Sequence, residues 1–225
     1  VLAHAVPFLS WVGLRLLFDQ VAPGRAWPYA VQTVASGLLL AVLRPWRYYP
    51  RPGLRHLPLA LLGGLLVLVV WVGPFLGMGD GMPWIQEFYL RFCVLPLGRL
   101  PAMPGSSPYA PDVCGWSLAL IRVGGSAFVI AVAEEFFWRG FLYRRLVQTD
   151  FLRLPLDAFD REAFWLSALL FGLEHREWAA GVVAALVYSA IMLRTKDIWA
   201  SVMAHSLTNL LLGIYVISAR AYGFW

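Results

Sequence analysis

Residues 124–142 read GGSAFVIAVAEEFFWRGFL, an apolar run holding two adjacent carboxylates, Glu134 and Glu135, with a guanidinium, Arg139, one turn further on. A charged side chain near a bilayer centre costs about 2.5–3.5 kcal/mol even on lenient insertion scales, so acids placed there need a partner, a proton or a chemical task. The whole composition makes the bilayer the solvent. Of 225 residues, 60% are hydrophobic and 14% charged, with mean hydropathy +0.67, too little polar surface to coat a water-soluble domain of this size.

A crossing helix needs about 20 apolar residues. Seven such stretches can be placed, at about 1–18, 26–43, 57–77, 117–138, 162–176, 178–193 and 198–218. An eighth segment, IQEFYLRFCVLPLGRL at 85–100, carries Glu87, Arg91, Pro96 and Arg99 and reads as an amphipathic helix lying in the interface. The expected architecture is an all-α polytopic membrane protein, a bundle of about seven transmembrane helices plus one interfacial helix, forming a single domain over residues 1–225. The first apolar stretch lacks the basic region and small-residue cleavage site of a signal peptide and is read as a retained span.

Loop charge sets the orientation. The loop at 44–56 has four arginines and no acid, the segment at 139–153 has Arg139, Arg144, Arg145 and Arg153 against Asp150, and the turn at 194–197 has Arg194 and Lys196. All three share one side if segment 85–100 does not cross. The positive-inside rule makes that side cytoplasmic, with the N-terminus inside and the C-terminus outside. Lys196 is the only lysine, the usage of a GC-rich bacterial genome, so the bacterial inner membrane is the expected location. The net charge of +5 belongs to this topology and not to nucleic-acid binding.

Helical angles, about 100° per residue, sort the polar groups within the spans. Glu135 and Arg139 are four apart and share a face, where they can neutralise each other, while Glu134 points about 100° away. Glu134 is left without an intrahelical partner in a low-dielectric setting, the situation of a general base. Two later apolar segments each carry a histidine: Phe171 and His175 in FGLEH, and His205 and Asn209 in HSLTN, each pair again four apart. By residue count His175 lies about 5–10 Å from the depth of Glu134 and His205. Bringing the three together therefore calls for a tilted or displaced fifth span. A buried network without catalysis, as in transporters, would use the same residue types.

The ordered set E-E-x-x-x-R, F-x-x-x-H and H-x-x-x-N, on three spans, resembles the CAAX protease and bacteriocin-processing family of intramembrane proteases, over about residues 117–218. The wording EEFFWRGFLYRRL, FGLEHREWAAG and LRTKDIWASVMAHSLTNLLLGIYV looks like the subgroup associated with exosortase and PEP-CTERM sorting systems. The resemblance implies a bundle of about eight helices and peptide-bond hydrolysis within the membrane, on a protein or peptide substrate, with exosortase-system proteins as partners. It casts Glu134 as the residue that activates water, His175 as its holder, His205 and Asn209 as oxyanion stabilisers, and Glu135, Arg139 and Phe171 as supports. The same atoms admit a second mechanism, in which Glu134, His175 and His205 bind Zn²⁺ or another divalent metal. The sequence leaves metal-assisted and metal-free hydrolysis open.

Other intramembrane chemistries lack parts. GMGDG at 77–81 contains G-x-G-D, but no second aspartate lies in an apolar stretch; there is no H-E-x-x-H. Ser126, on the helix of the acid pair, reads as a small residue permitting close packing. Glu174 projects away from His175, Arg176 and Glu177 read as a solvated turn, and His4 and His56 as peripheral. Cys93 and Cys114 share a segment expected outside, where an oxidising compartment would let them pair. The alternative to a protease is a non-catalytic assembly factor, an immunity-type binder or a proton-coupled carrier using the same buried cluster.

Overall fold

The computed structural model describes residues 1–76, 83–101 and 104–225, so the GMGDG string lies outside the described residues. Eight helices carry the described chain: α1 (Leu2–Val21), α2 (Trp27–Leu43), α3 (Leu57–Val72), α4 (Pro83–Phe92), α5 (Pro111–Val147), α6 (Arg161–Leu173), α7 (Trp178–Thr195) and α8 (Ile198–Ala219). Their ends follow local chemistry. Proline sits in the first turn of α2, α3 and α5, where its missing N–H costs nothing. Asp160 and Asp197 cap α6 and α8 by accepting from Ala163 N and Trp199 N at 2.8 and 2.9 Å.

The protein is an all-helical, multi-pass membrane protein. Among the described residues, five stretches are long and apolar enough to cross: Leu2–Val21, Leu54–Phe75, Pro111–Val147, Trp178–Thr195 and Ile198–Ala219. Of the seven expected spans, the other two correspond to α2, with 17 residues, and α6, with 13. At 1.5 Å per residue α6 reaches only about 20 Å. It ends at Leu173, short of the expected 176, so His175 lies just past the helix, in the connection to α7. The eighth segment is helical only over Pro83–Phe92; the expected continuation to 100 is replaced by irregular chain through a cis Leu95–Pro96 bond. No side chain of α4 is buried.

The largest departure is in α5. The fourth span was expected to end at 138, with Arg139 and Arg144 in a loop, but the helix continues to Val147 and both arginines are buried, 2% and 4% exposed. It can do so because each guanidinium finds acceptors inside the bundle, although Arg139 Nη2 and Arg144 Nε remain buried without a partner. Arg139 pairs with Glu135, and Arg144 donates to the carbonyls of Gly140, Leu152 and Leu154. Two π-helical stretches, Ser126–Ile130 and Trp138–Tyr143, bracket the acid pair within this helix.

Packing relies on small residues, as expected where lipid supplies no hydrophobic contrast. α3 meets α8 at Gly64, where an added Cβ would lie 2.7 Å from Ala204 O. Gly125 lets α5 approach α2, since a Cβ there would lie 2.5 Å from Thr33 Oγ1. Leucines on the outer surface of α3, among them Leu62 and Leu66, are exposed to the surrounding lipid.

The three arginine-rich loops do share one face. Gly53 N donates to Asp197 Oδ2 at 2.9 Å, Trp199 Nε1 to Pro50 O at 3.1 Å, and Lys196 Nζ lies 2.6 Å from Asp157. The hydrogen bond from Lys196 holds the Asp157 carboxyl below its usual range. On the same face His4 is buried, not peripheral; its Nε2 lies 2.9 Å from Tyr49 Oη, which donates to Gly140 O at 3.1 Å. On the opposite face, the connection at 174–177 is not a solvated turn. Glu177 is 6% exposed, Arg176 donates to Gly223 O at 2.9 Å, and Arg176 O accepts from Leu95 N at 2.8 Å. Cys93 and Cys114 are both free thiols.

Candidate active site

Three helices and one connection place the motif residues around a single cavity of about 280 Å³. Glu134 comes from the short α-helical turn between the two π stretches of α5, Phe171 from α6, His175 from the connection beyond it, and His205 and Asn209 from α8; all five line the cavity. The expected mismatch in depth disappears because α5 continues well past Arg139, which sets Glu134 far from that helix's end, and because α6 is short.

Glu135 organises the wall behind the cavity. It is fully buried, and its Oε1 accepts from Arg139 Nη1 at 3.0 Å and from His205 Nδ1 at 2.9 Å. The Ser201 hydroxyl lies 3.0 Å from Glu135 Oε2 and 3.0 Å from Tyr188 O. The Arg139 guanidinium also lies over the Phe171 ring at 4.6 Å, so Phe171 and Glu135 together fix it. The intrahelical pair expected from spacing is therefore present, and it also bridges to α8. Removing either member of such a pair would leave an uncompensated buried charge.

The histidines are fixed by their outer nitrogens. Glu135 is held as a carboxylate by Arg139, so the proton in its bond to His205 belongs to Nδ1. Phe171 O can only accept, so Nδ1 of His175, 2.8 Å away, also carries the proton. Each neutral ring is left with Nε2 as a lone-pair nitrogen. His205 Nε2 lies 3.7 Å from Glu134 Oε2, too far for a direct hydrogen bond. Glu134 Oε2 is buried without any partner. The Tyr188 ring stacks on His205 at 4.8 Å and 20°, and its hydroxyl donates to Thr208 Oγ1 at 2.8 Å.

Asn209 uses one amide hydrogen to hold α5, donating from Nδ2 to Ser126 O at 3.0 Å. That carbonyl lies where the backbone bonding is π-helical, with Ala131 N as its backbone donor. Ser126 thus contributes a carbonyl to the junction of α5 and α8 as well as room for packing.

Several residues of this site were not singled out from sequence. Ser201 precedes His205 by four and Thr208 follows it by three, so helical spacing alone would place them beside its face. Tyr188, on α7, has no such signal. Glu174 also lines the cavity, because α6 ends at Leu173 and the helical angle that pointed it away no longer applies.

The metal-ligand set was tested on the same geometry. Two imidazole lone pairs and a free carboxylate oxygen are suitable donors for Zn²⁺. Among the described residues, however, no three His, Cys, Asp or Glu side chains converge closely enough to hold an ion. The side chains as arranged do not fit a metal site.

Searches of the curated proteins and of the solved structures find no match. Residues 116–211, under half of the chain, match the family model described as type II CAAX prenyl endopeptidase Rce1-like. This stretch contains Glu134, Glu135, Arg139, Phe171, His175, His205 and Asn209, and the match supports placing the chain in the CAAX protease family.

Proposed function

We propose that this protein is an intramembrane endopeptidase that hydrolyses a peptide bond in a membrane-embedded or exported protein. The observation that carries the reading is the convergence of Glu134, His175, His205 and Asn209, from separate parts of the bundle, on one cavity. Glu134 serves as general base. A water seated against its unpartnered Oε2 and against His205 Nε2 can donate one hydrogen to each of these two acceptors, 3.7 Å apart, with His175 on the wall of the same cavity. Glu134 takes one proton from this water as the oxygen attacks the carbonyl carbon, then returns it to the leaving amine when the carbon–nitrogen bond breaks.

The developing oxyanion is met by the amide hydrogen that Asn209 does not spend on Ser126. His205 can add to this only once its ring carries a second proton. Its lone-pair tautomer changes the role assigned by resemblance: it holds the attacking water, and since the single proton released goes to Glu134 and then to the leaving amine, the oxyanion is left to Asn209. Glu135, Arg139, Ser201 and Tyr188 position that ring. No step is routed through a metal.

The orientation that fits the loop charges places the arginine-rich face in the cytoplasm of a bacterial inner membrane, with the C-terminus outside. A role in exosortase-linked protein processing is the biological setting proposed from the wording of the motifs. Terminus-resolved mass spectrometry of membrane and secreted proteins, comparing wild-type cells with Glu134→Gln, tests the function. Precursors accumulating only in the mutant would identify the substrate. Unchanged termini, with the mutant protein present at normal levels, would refute proteolysis in favour of an assembly or carrier role.

A further inference from the structure

The cavity extends beyond Glu134 toward the face opposite the arginine-rich loops, where Arg122 lines it. The Arg122 guanidinium is surrounded by aromatic rings: it lies 4.1 Å from the centre of Tyr29, 5.2 Å from that of Tyr109 and 5.8 Å from that of Trp225. These faces stabilise a cation but supply no negative charge. Among the described residues Arg122 makes no salt bridge, and its buried Nε has no hydrogen-bond partner. Arg15, also at this end, differs in having Asp19 at 4.0 Å.

We propose that Arg122 is an anion subsite of the cavity, which takes a carboxylate carried by the substrate peptide. The inference rests on the endopeptidase reading for the nature of its ligand. A guanidinium is the side chain best matched to a carboxylate, which it binds through two parallel N–H donors. The rings close off Nε, so a substrate carboxylate would meet the part of the guanidinium that lines the cavity. Arg122 lines the same cavity as Glu134, His175 and His205, together with Gly223, Phe224 and its ring partner Trp225. This placement favours a ligand arriving along the cavity over a lipid headgroup arriving from the bilayer.

The distance sets a register. Arg122 and Glu134 are twelve positions apart on α5, about 18 Å along a helix rising 1.5 Å per residue. An extended peptide covers at most about 3.3–3.6 Å per residue. The carboxylate therefore sits about five residues from the scissile bond, or fewer where the guanidinium reaches inward. It is either the chain terminus or an acidic side chain at that position.

The test measures binding to full-length Glu134→Gln protein in phosphatidylcholine nanodiscs, so that turnover does not interfere. The probe is a dansyl-labelled hexapeptide of alanine and leucine in three forms: free C-terminal carboxylate, C-terminal amide, and amide with glutamate as its last residue. At least one acidic form should bind tenfold or more tightly than the neutral amide. That advantage should disappear in Arg122→Gln and fall several-fold in Arg122→Lys, which keeps the charge but loses the fork. Which acidic form is preferred separates a chain terminus from a side chain. Equal binding of all three forms, no binding of any, or an advantage that survives Arg122→Gln overturns the subsite. So does a result in which Arg122→Gln alters only retention of phosphatidylglycerol in native mass spectrometry, since the anion is then a lipid phosphate. If Arg122→Gln does not fold, the Arg122→Lys comparison decides. Failure of the wild type to cleave a peptide that binds by its carboxylate would count against the endopeptidase reading and leave the subsite standing.

Discussion

Gly64→Ala tests whether the position of His205 is set by the contact between α3 and α8. The new methyl would lie 2.7 Å from Ala204 O, 3.1 Å from Leu207 Cδ2 and 3.2 Å from Leu207 Cβ. Ordinary contact begins at 3.4 Å, so the helices must separate by about 0.7 Å at that point. The obstacle is backbone, which cannot rotate aside. Overpacking of this kind costs about 1–3 kcal/mol. The displacement falls on the residue next to His205, whose bond to Glu135 is 2.9 Å, and on the 2.9 Å contact from Thr208 Oγ1 to Gly64 O. A misplacement near 1 Å can cost about 10²-fold in rate, so cleavage should fall between about tenfold and a hundredfold. The assays are unfolding in nanodiscs followed by tryptophan fluorescence, and precursor turnover in cells read by terminus-resolved mass spectrometry. Gly124→Ala is the control, because a methyl there meets nothing within 4 Å. Wild-type stability and turnover in Gly64→Ala would refute the claim that this close approach positions α8.

Glu134→Gln should lower turnover by at least about 10²-fold, the usual worth of a general base, while leaving thermal stability close to wild type; a normal rate would remove Glu134 from the mechanism. Arg139→Met should destabilise by about 3–5 kcal/mol by leaving Glu135 buried and unpaired, and Glu135→Gln with Arg139→Met should recover part of that loss in the same unfolding assay; additive losses would contradict the pairing. Treatment of the purified protein with 1,10-phenanthroline should leave peptide cleavage unchanged, and inactivation reversed by added Zn²⁺ would show that Glu134, His175 and His205 draw together around an ion. Tyr49→Phe removes the donor to Gly140 O and the acceptor for Arg144 Nη1 at 3.2 Å, and should cost about 1–3 kcal/mol of stability.

What sequence made legible was local or compositional. The Glu135–Arg139 pair was visible because four residues along a helix bring side chains together whatever the rest of the fold does. The shared face of the three arginine-rich loops followed from counting the spans with segment 85–100 left uncrossed, together with the loop charges. The bond between Glu135 and His205 was not visible, since it joins residues 70 positions apart and exists only through the packing of α5 on α8. The end of α5 was misplaced for a related reason: Arg144 reads as seeking water, whereas the carbonyls of Gly140, Leu152 and Leu154 accept from it inside the bundle. His4 and Glu177 were misjudged in the same way. The π-helical stretches carry no sequence signature, and the shortness of α6 was hidden by an apolar run that continues to its connection.

The first π stretch has a consequence for how α5 presents its side chains. Arg122, Ser126, Ile130 and Glu134 are spaced by four and all line the cavity. In an uninterrupted α-helix each step of four advances the face by about 40°, so Glu134 would be rotated about 120° from Arg122. A π turn accommodates one additional residue, which takes back about 100° of that drift and straightens the four into a nearly axial stripe. The helix behaves as two rigid rods joined at a fixed phase, one carrying the base and the other the proposed anion subsite. Deleting a single residue between 126 and 130 would restore regular winding and still leave Arg122 within about 20° of Glu134, whereas winding the full-length stretch as plain α-helix would swing Arg122 away from the axis that it shares with Glu134.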